Sequence, residues 1–391
     1  MMKAKTFVVL VISVFIVAFC VLVGANVFAL RMWSKNLKSD WRSGRIWVSD
    51  AWTMIEYKTN YISQKNLPYN AFLFGGSKSS AMQPATLKIY TGDDFYNYYT
   101  FGGCFENYEM YINHILKIYK NINEVFLCLS SQEAEHYKAL WKLVPSNIQN
   151  SPFAFIRVRM KLLKEKFLNI TAFIDLYKNR NKESLKQLMF PDGSRDHSLY
   201  FAKREENPEK FIKERVLPYW HSQDGGWEKS LYDLFYQEPQ LPACEENIAA
   251  LKRIKAKLDS RNIKLTVVIL PTFVAELYKY ATPQFSQYLK DLVSVIDVWN
   301  FGGINDVDLN PYNFYDGGHC FDYVADKMIE TMYSPEPNTS DMNAFGILLN
   351  DDNIEEYLES QKKKWLELKA EYDETHTIAL QGKDDPSYLG K

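Results

Sequence analysis

Four short, largely apolar runs stop abruptly along the chain: YNAFLF (69–74), NEVFLCLSS (123–131), IKLTVVIL (263–270) and VIDVWNF (295–301). Each ends at, or is followed directly by, Gly, Ser or Pro, so each reads as a buried strand cut off by a turn. A second strand region, ATLKIY with FYNYYTF, covers about 86–101 and brings the expected number of strands to five. Between the strands lie segments of helical period. In FENYEMYINHILKIYKNI (105–122), Tyr108, Tyr111, Ile112, Ile115, Leu116 and Tyr119 fall on one face. EENIAALKRIKAKLDSRN (245–262), QFSQYLKDLVSVI (284–296) and FDYVADKMIETM (321–332) behave alike. Strands alternating with helices imply parallel pairing, hence an α/β protein with a doubly wound, flavodoxin-like, mostly parallel five-stranded sheet.

Ligands of such sheets gather at the C-terminal ends of the strands. Chemically capable residues cluster there: Gly75 to Ser80 after the first strand, Gly102-Gly103 after the second, Ser130-Ser131 after the third, Pro271-Thr272 after the fourth, and Asp316 and His319 after the fifth. A serine hydroxyl needs a base to take its proton, and a histidine base needs an orienting partner. Asp316 and His319 are separated by two glycines, so one tight turn lets the carboxylate reach the ring of its own loop. Ser77, Asp316 and His319 therefore form a candidate catalytic set. Backbone N–H groups near Ser77 and at Gly102 and Gly103, with Ser130, are candidates for stabilising an oxyanion. Read alone, Gly-Gly-Ser after a strand is an ordinary loop, and D-x-x-H is a common chance pattern. The functional reading rests on finding both on one sheet edge.

These blocks resemble the SGNH (GDSL-like) hydrolase superfamily, in particular its membrane-anchored bacterial branch. AFLFGGSK resembles that branch's strand ending in GSSR, which makes Ser77 the nucleophile and puts Lys78 in place of an arginine. FYNYYTFGGCF places Asn97, Gly102 and Gly103 in a second block, and EVFLCLSS resembles a third. VWNFGGINDV and FYDGGHCF carry over Asp316 and His319, and FGILLNDDNIEEYLES resembles the ending of that group. The likeness spans roughly residues 68 to 362 in scattered blocks. It implies serine acyl-ester chemistry outside the cytoplasm, as an O-acyltransferase or esterase on a cell-surface or exported polysaccharide. The acyl donor would be handed over by a membrane partner protein, and the resemblance assigns Lys78 and Asn97 to substrate binding. Two departures stand out: Ser130 occupies the place of an aspartate, and no asparagine in the third block offers an oxyanion donor. The alternative is an SGNH-shaped scaffold without turnover that binds a glycan or a membrane partner.

Residues Thr6 to Leu30 run without a charge, long enough to cross a bilayer core of roughly 30 Å. They predict a single transmembrane signal anchor over 1–30 in a bacterial cytoplasmic membrane, although the small residues of GANVFA also allow cleavage after Ala29. Arg31, Lys35, Lys38, Arg42 and Arg45 after the span favour a cytoplasmic body. The site argument places it outside. The remaining organisation reads as a juxtamembrane segment (31–66), an α/β domain (67–349) with an insertion over 150–240, and a C-terminal helix and tail (350–391).

With 46 basic and 48 acidic residues, no global field draws the chain to nucleic acid. The five cysteines form no CxxC pair and the histidines no HxxH or HxxxH spacing, so neither a metal nor a cofactor is expected. A nucleophilic Cys104 or Cys128 is disfavoured, because no basic neighbour is placed to lower its pKa. FPDGSRDHS (190–198), with Asp192, Arg195, Asp196 and His197, reads as a solvated turn. His221 beside Trp220 and Trp227 fits either a carbohydrate platform or core packing. His114 reads as helix packing, and 361–374 as a solvated amphipathic helix.

Overall fold

The computed structural model describes residues 5–21, 46–48, 51–64, 67–135, 187–217, 226–238, 241–274 and 282–382, with a few single positions between them. In chain order the strands are β1 (Ile46–Val48), β2 (Ala71–Gly75), β3 (Phe95–Tyr99), β4 (Glu124–Leu129), β5 (Gln187–Met189), β6 (Lys264–Ile269), β7 (Val298–Asn300), β8 (Phe314–Asp316), β9 (His319–Cys320) and β10 (Ile347–Leu349). Six of them form one sheet in the order β10-β7-β6-β4-β2-β3. All neighbours are parallel except β10, which runs antiparallel to β7. The sheet therefore has six strands rather than five. Its parallel part follows the 2-1-3-4-5 order of doubly wound sheets.

Every residue of β2, β3 and β4 is buried, as expected for strands covered by helices on both faces. Helix Phe105–Ile118 packs on Cys244–Asp259, which packs on Pro283–Val293. Helix Pro84–Thr91 packs on Asp322–Met332. The strand order reverses direction after β3, so the right-handed crossover rule assigns these two groups to opposite faces. The ATLKIY segment lies in helix Pro84–Thr91, not in a strand. Proline at its start and Gly92 at its end, with φ +77°, are ordinary helix punctuation.

Before the sheet, helix Ala51–Ile62 buries Met54, Ile55, Lys58, Thr59 and Ile62 completely. The ammonium of Lys58 donates to the carbonyls of Asn97 (2.8 Å) and Gly193 (2.9 Å) and sits 3.5 Å from the centre of the Tyr99 ring. Burial lowers its pKa well below the ordinary lysine value, against the opposing charge of Asp192.

Residues 5–21 are helical, with Phe7, Phe15 and Ile16 exposed. No helix among the described residues is long and apolar enough to cross a membrane. Gly24 apart, the rest of the expected Thr6–Leu30 span lies outside the described residues, as do residues 31–45, residues 150–186 of the expected insertion, and Trp220 and His221.

Candidate active site

The switch point of this sheet, where crossovers turn from one edge to the other, lies between β2 and β4. Open α/β sheets form their crevice there. β2 ends at Gly75, and after Gly76 the chain turns at once into a 3-10 helix, Ser77–Ala81. The turn demands glycine at 75. A Cβ there would stand 2.5 Å from the Ser79 hydroxyl and 2.7 Å from the Cys128 carbonyl on neighbouring β4. Ser77 heads the short helix and is partly exposed, whereas Lys78, Ser79, Ser80 and Ala81 are buried.

β8 and β9 are joined by Gly317-Gly318, and the ladder sets Asp316 opposite His319. His319 Nδ1 lies 2.7 Å from Asp316 Oδ1, and His319 Nε2 lies 2.7 Å from Ser77 Oγ. The Gly318 N–H donates to the same Asp316 oxygen at 3.0 Å. Burial alone would raise the Asp316 pKa. The charge and hydrogen bond of His319, the Gly318 N–H and the charge of Arg195 outweigh it and leave the pKa below the ordinary aspartate value. An ionised Asp316 holds the proton on Nδ1 and leaves Nε2 free to accept from Ser77. Residues 242 positions apart thus form one continuous proton path.

The other expected site residues are placed differently. Asn97 is fully buried; its amide donates to the carbonyls of Ser79 (2.9 Å) and Met82 (2.8 Å). It braces the Ser77 helix rather than facing a substrate. Lys78 is also buried, and its ammonium donates to the Thr272 hydroxyl, tying the same helix to the loop after β6. Ser130 gives both its N–H and its O–H to Glu133 Oε2, each at 2.7 Å, so those donors are committed away from an oxyanion. Gly103 remains a candidate, because its N–H lies 3.9 Å from the position a Cβ at residue 76 would take.

The segment expected as a solvated turn is built into the site wall. Ser194, Arg195, Asp196 and His197 are all buried. The Asn97 N–H donates to the Asp192 carbonyl at 2.8 Å. Gly193 has φ +84°, and a Cβ there would stand 2.3 Å from the Asn97 carbonyl, so the turn both needs and fits glycine. Arg195 Nη1 donates to the Tyr315 hydroxyl at 3.1 Å, and the Tyr315 ring stacks on His319 at 5.4 Å between centroids. His197 Nδ1 is hydrogen-bonded to Asp322. Nothing periodic in this segment signalled burial, because its partners come from Ala51–Ile62 and β3, far away in sequence. Glu133 was missed as well; SSQEAE carries no pattern beyond an ordinary strand exit.

All five cysteines are free thiols. Burial pushes Cys104 up to about 11 and Cys320 up to about 12, which disfavours thiolate chemistry. Among the described residues, no group of three or more His, Cys, Asp or Glu is arranged to hold a metal ion. Comparison with family models, with curated proteins and with solved structures finds no match to this chain.

Proposed function

We propose that the protein is a serine acyl-ester enzyme of SGNH type, an O-acyltransferase or esterase. The observation that carries this reading is the unbroken Ser77–His319–Asp316 chain at the mouth of a doubly wound sheet, with both hydrogen bonds at 2.7 Å. In the reaction, Ser77 Oγ attacks an acyl carbonyl while His319 Nε2 takes its proton. Collapse of the tetrahedral intermediate breaks the bond to the leaving alkoxide, which receives that proton from His319. Water or a sugar hydroxyl then repeats the cycle on the acyl-enzyme, restoring Ser77. Asp316 stays ionised and orients the imidazolium.

The uncharged run Thr6–Leu30 and the SGNH-like motif order support a membrane-anchored, extracytoplasmic setting, with a cell-surface or exported polysaccharide as acceptor. In that setting the donor is an acyl ester or thioester passed on by a membrane partner. A second reading, a scaffold without turnover, is favoured by the commitment of Ser130 to Glu133, which removes one expected oxyanion donor. A fluorophosphonate probe separates the two. Covalent labelling at Ser77 that disappears in Ser77→Ala and His319→Ala, with folding intact, supports the enzyme. A wild-type protein that stays unlabelled supports the scaffold.

A further inference from the structure

The side chain of Glu133 follows β4 at the switch point and is only 2% exposed. Its Oε2 accepts both donors of Ser130 at 2.7 Å, and its Oε1 is 2.8 Å from the Tyr108 hydroxyl. Among the described residues, no cation pairs with it. The groups that face it are Tyr108 from helix Phe105–Ile118, Cys104 just before that helix, Cys128 from β4 and Tyr288 from helix Pro283–Val293. Each of these is held neutral by burial, with the Glu133 charge adding to the effect. Asn247 of helix Cys244–Asp259 donates to the Glu133 backbone carbonyl. A carboxyl so placed has no compensating charge, and burial raises its pKa.

Its position bears on Ser77. A Cβ at Gly76 would stand 3.6 Å from Glu133 Oε1, 3.7 Å from the Tyr108 hydroxyl and 3.9 Å from the Gly103 nitrogen. Three polar groups therefore converge on the side of the chain that glycine leaves bare, one residue before the nucleophile. Tyr108 and Glu133 are buried, but Gly76, Ser77, Gly102 and Gly103 are partly exposed. Apart from its chain neighbours, nothing lies closer than 3.6 Å to the Gly76 Cβ position, so that side has room for a single atom such as a carbonyl oxygen. A proton count shows what the convergence can do. Ser130 spends its donors on Oε2. When Glu133 is ionised, the Glu133–Tyr108 pair holds one proton, and their mutual hydrogen bond uses it. When Glu133 is neutral, the pair holds two, and one O–H is left to donate outward.

We propose that Glu133 and Tyr108 act as one unit, supplying with the Gly103 N–H the oxyanion stabilisation of the Ser77 site, and that the unit works only while Glu133 carries its proton. This rests on the acyl-ester reading above. As the Ser77 Oγ–carbon bond forms, the carbonyl π pair moves onto oxygen, and the spare O–H donates a hydrogen bond to it. No proton is transferred there; the Ser77 proton goes to His319 and then to the leaving oxygen. The unit takes the place of the asparagine that the third block lacks.

The test is the pH dependence of Ser77 labelling by a neutral alkyl fluorophosphonate, whose phosphoryl oxygen mimics the developing oxyanion, on the full chain in detergent. The wild type is expected to lose reactivity on the alkaline side as Glu133 ionises. Glu133→Gln keeps donors at every pH, so it should label within about threefold of the wild type on the acid side of that fall, and without the fall itself. Glu133→Leu should be slower by about 100-fold, the usual effect of removing one oxyanion donor. Glu133→Gln preserves shape, so its profile remains decisive even where Glu133→Leu folds poorly. Identical rates and profiles in wild type and Glu133→Gln would overturn the proposal while leaving the serine reading intact. Absence of Ser77 labelling in the wild type removes the serine reading and this inference together. A probe bearing a quaternary ammonium that outpaces the neutral one in the wild type but not in Glu133→Gln makes Glu133 a cation anchor, which also overturns it.

Discussion

The described residues contain two strings of serine, histidine and carboxylate, each with its histidine packed against the Tyr315 ring. In the outer one, Ser77, His319 and Asp316 are linked by two bonds of 2.7 Å, with Ser77 partly exposed. In the inner one, Ser80 Oγ lies 3.5 Å from His197 Nε2, and His197 Nδ1 is hydrogen-bonded to Asp322. The Tyr315 ring is 4.7 Å from the His197 ring and 5.4 Å from the His319 ring. The two strings use the same residue types in the same order. Access of the hydroxyl separates them, because Ser80 is 1% exposed whereas Ser77 is partly exposed. Burial, moderated by Asp322, also lowers the His197 pKa, with Arg195 and His319 adding to the depression. The inner string is therefore a clamp built on a neutral imidazole, which fastens the 190–198 segment to the start of helix Asp322–Met332. Hydrogen-bond order alone does not make a nucleophile.

The largest effect expected from this contrast is catalytic. Ser77→Ala should abolish phosphonate labelling and cut ester turnover by roughly 10⁴- to 10⁶-fold. Ser80→Ala should leave both within about twofold, as a change outside the machinery does. Labelling that moves to Ser80, or is lost only in Ser80→Ala, would exchange the roles of the two strings.

The next effect is on stability, and it runs the other way. His197→Ala removes a buried ring and leaves Asp322 and Ser80 without that partner. Asp322 is about one-third exposed, which softens the loss, so about 2–3 kcal/mol is expected from the midpoint of urea unfolding. His319→Ala should cost less stability but remove activity. If His197→Ala unfolds at the wild-type midpoint yet no longer labels, the inner string belongs to the chemistry after all. Gly75→Ala should follow at about 1–2 kcal/mol, because a Cβ would press on Ser79 Oγ and the Cys128 carbonyl.

How far the sequence disclosed all this depends on the distance between partners. The outer string was readable because each half is local: a glycine turn after an apolar strand, and an aspartate and histidine bracketing two glycines. The parallel sheet was readable for the same reason, through uniformly apolar runs. The sixth strand was not, since Ile347–Leu349 offers only three residues and pairs antiparallel with β7. Helix Pro84–Thr91 misled because Ile89, 79% exposed, sets an apolar residue on the solvent side and blurs the helical period. The 190–198 segment looked solvated because Asp, Gly, Ser and Arg usually are. Its burial depends on Lys58, 135 positions earlier, reaching the Gly193 carbonyl.

The smallest effect sharpens the clamp argument through pH. His197 has a folded-state pKa below its unfolded value of about 6.5. The unfolded chain therefore binds the proton first, and stability is fully present above about pH 6.5. It declines as pH falls below that value, and the decline stops once the folded state also protonates. His114 contributes in the same window, its pKa lowered to about 4 by burial and by Lys117. Asp316, lowered in the folded state, acts separately, since its contribution is present above about pH 3.9 and is lost only below it. Glu133 and Asp308, raised in the folded state by burial, act in the opposite direction in this window, so the readout is a difference. Between pH 7.5 and 4.5, urea midpoints of the wild type should fall relative to those of His197→Gln, which keeps polarity without titrating. A His197→Gln protein with the full wild-type slope would mean that His197 is not held neutral in the folded state.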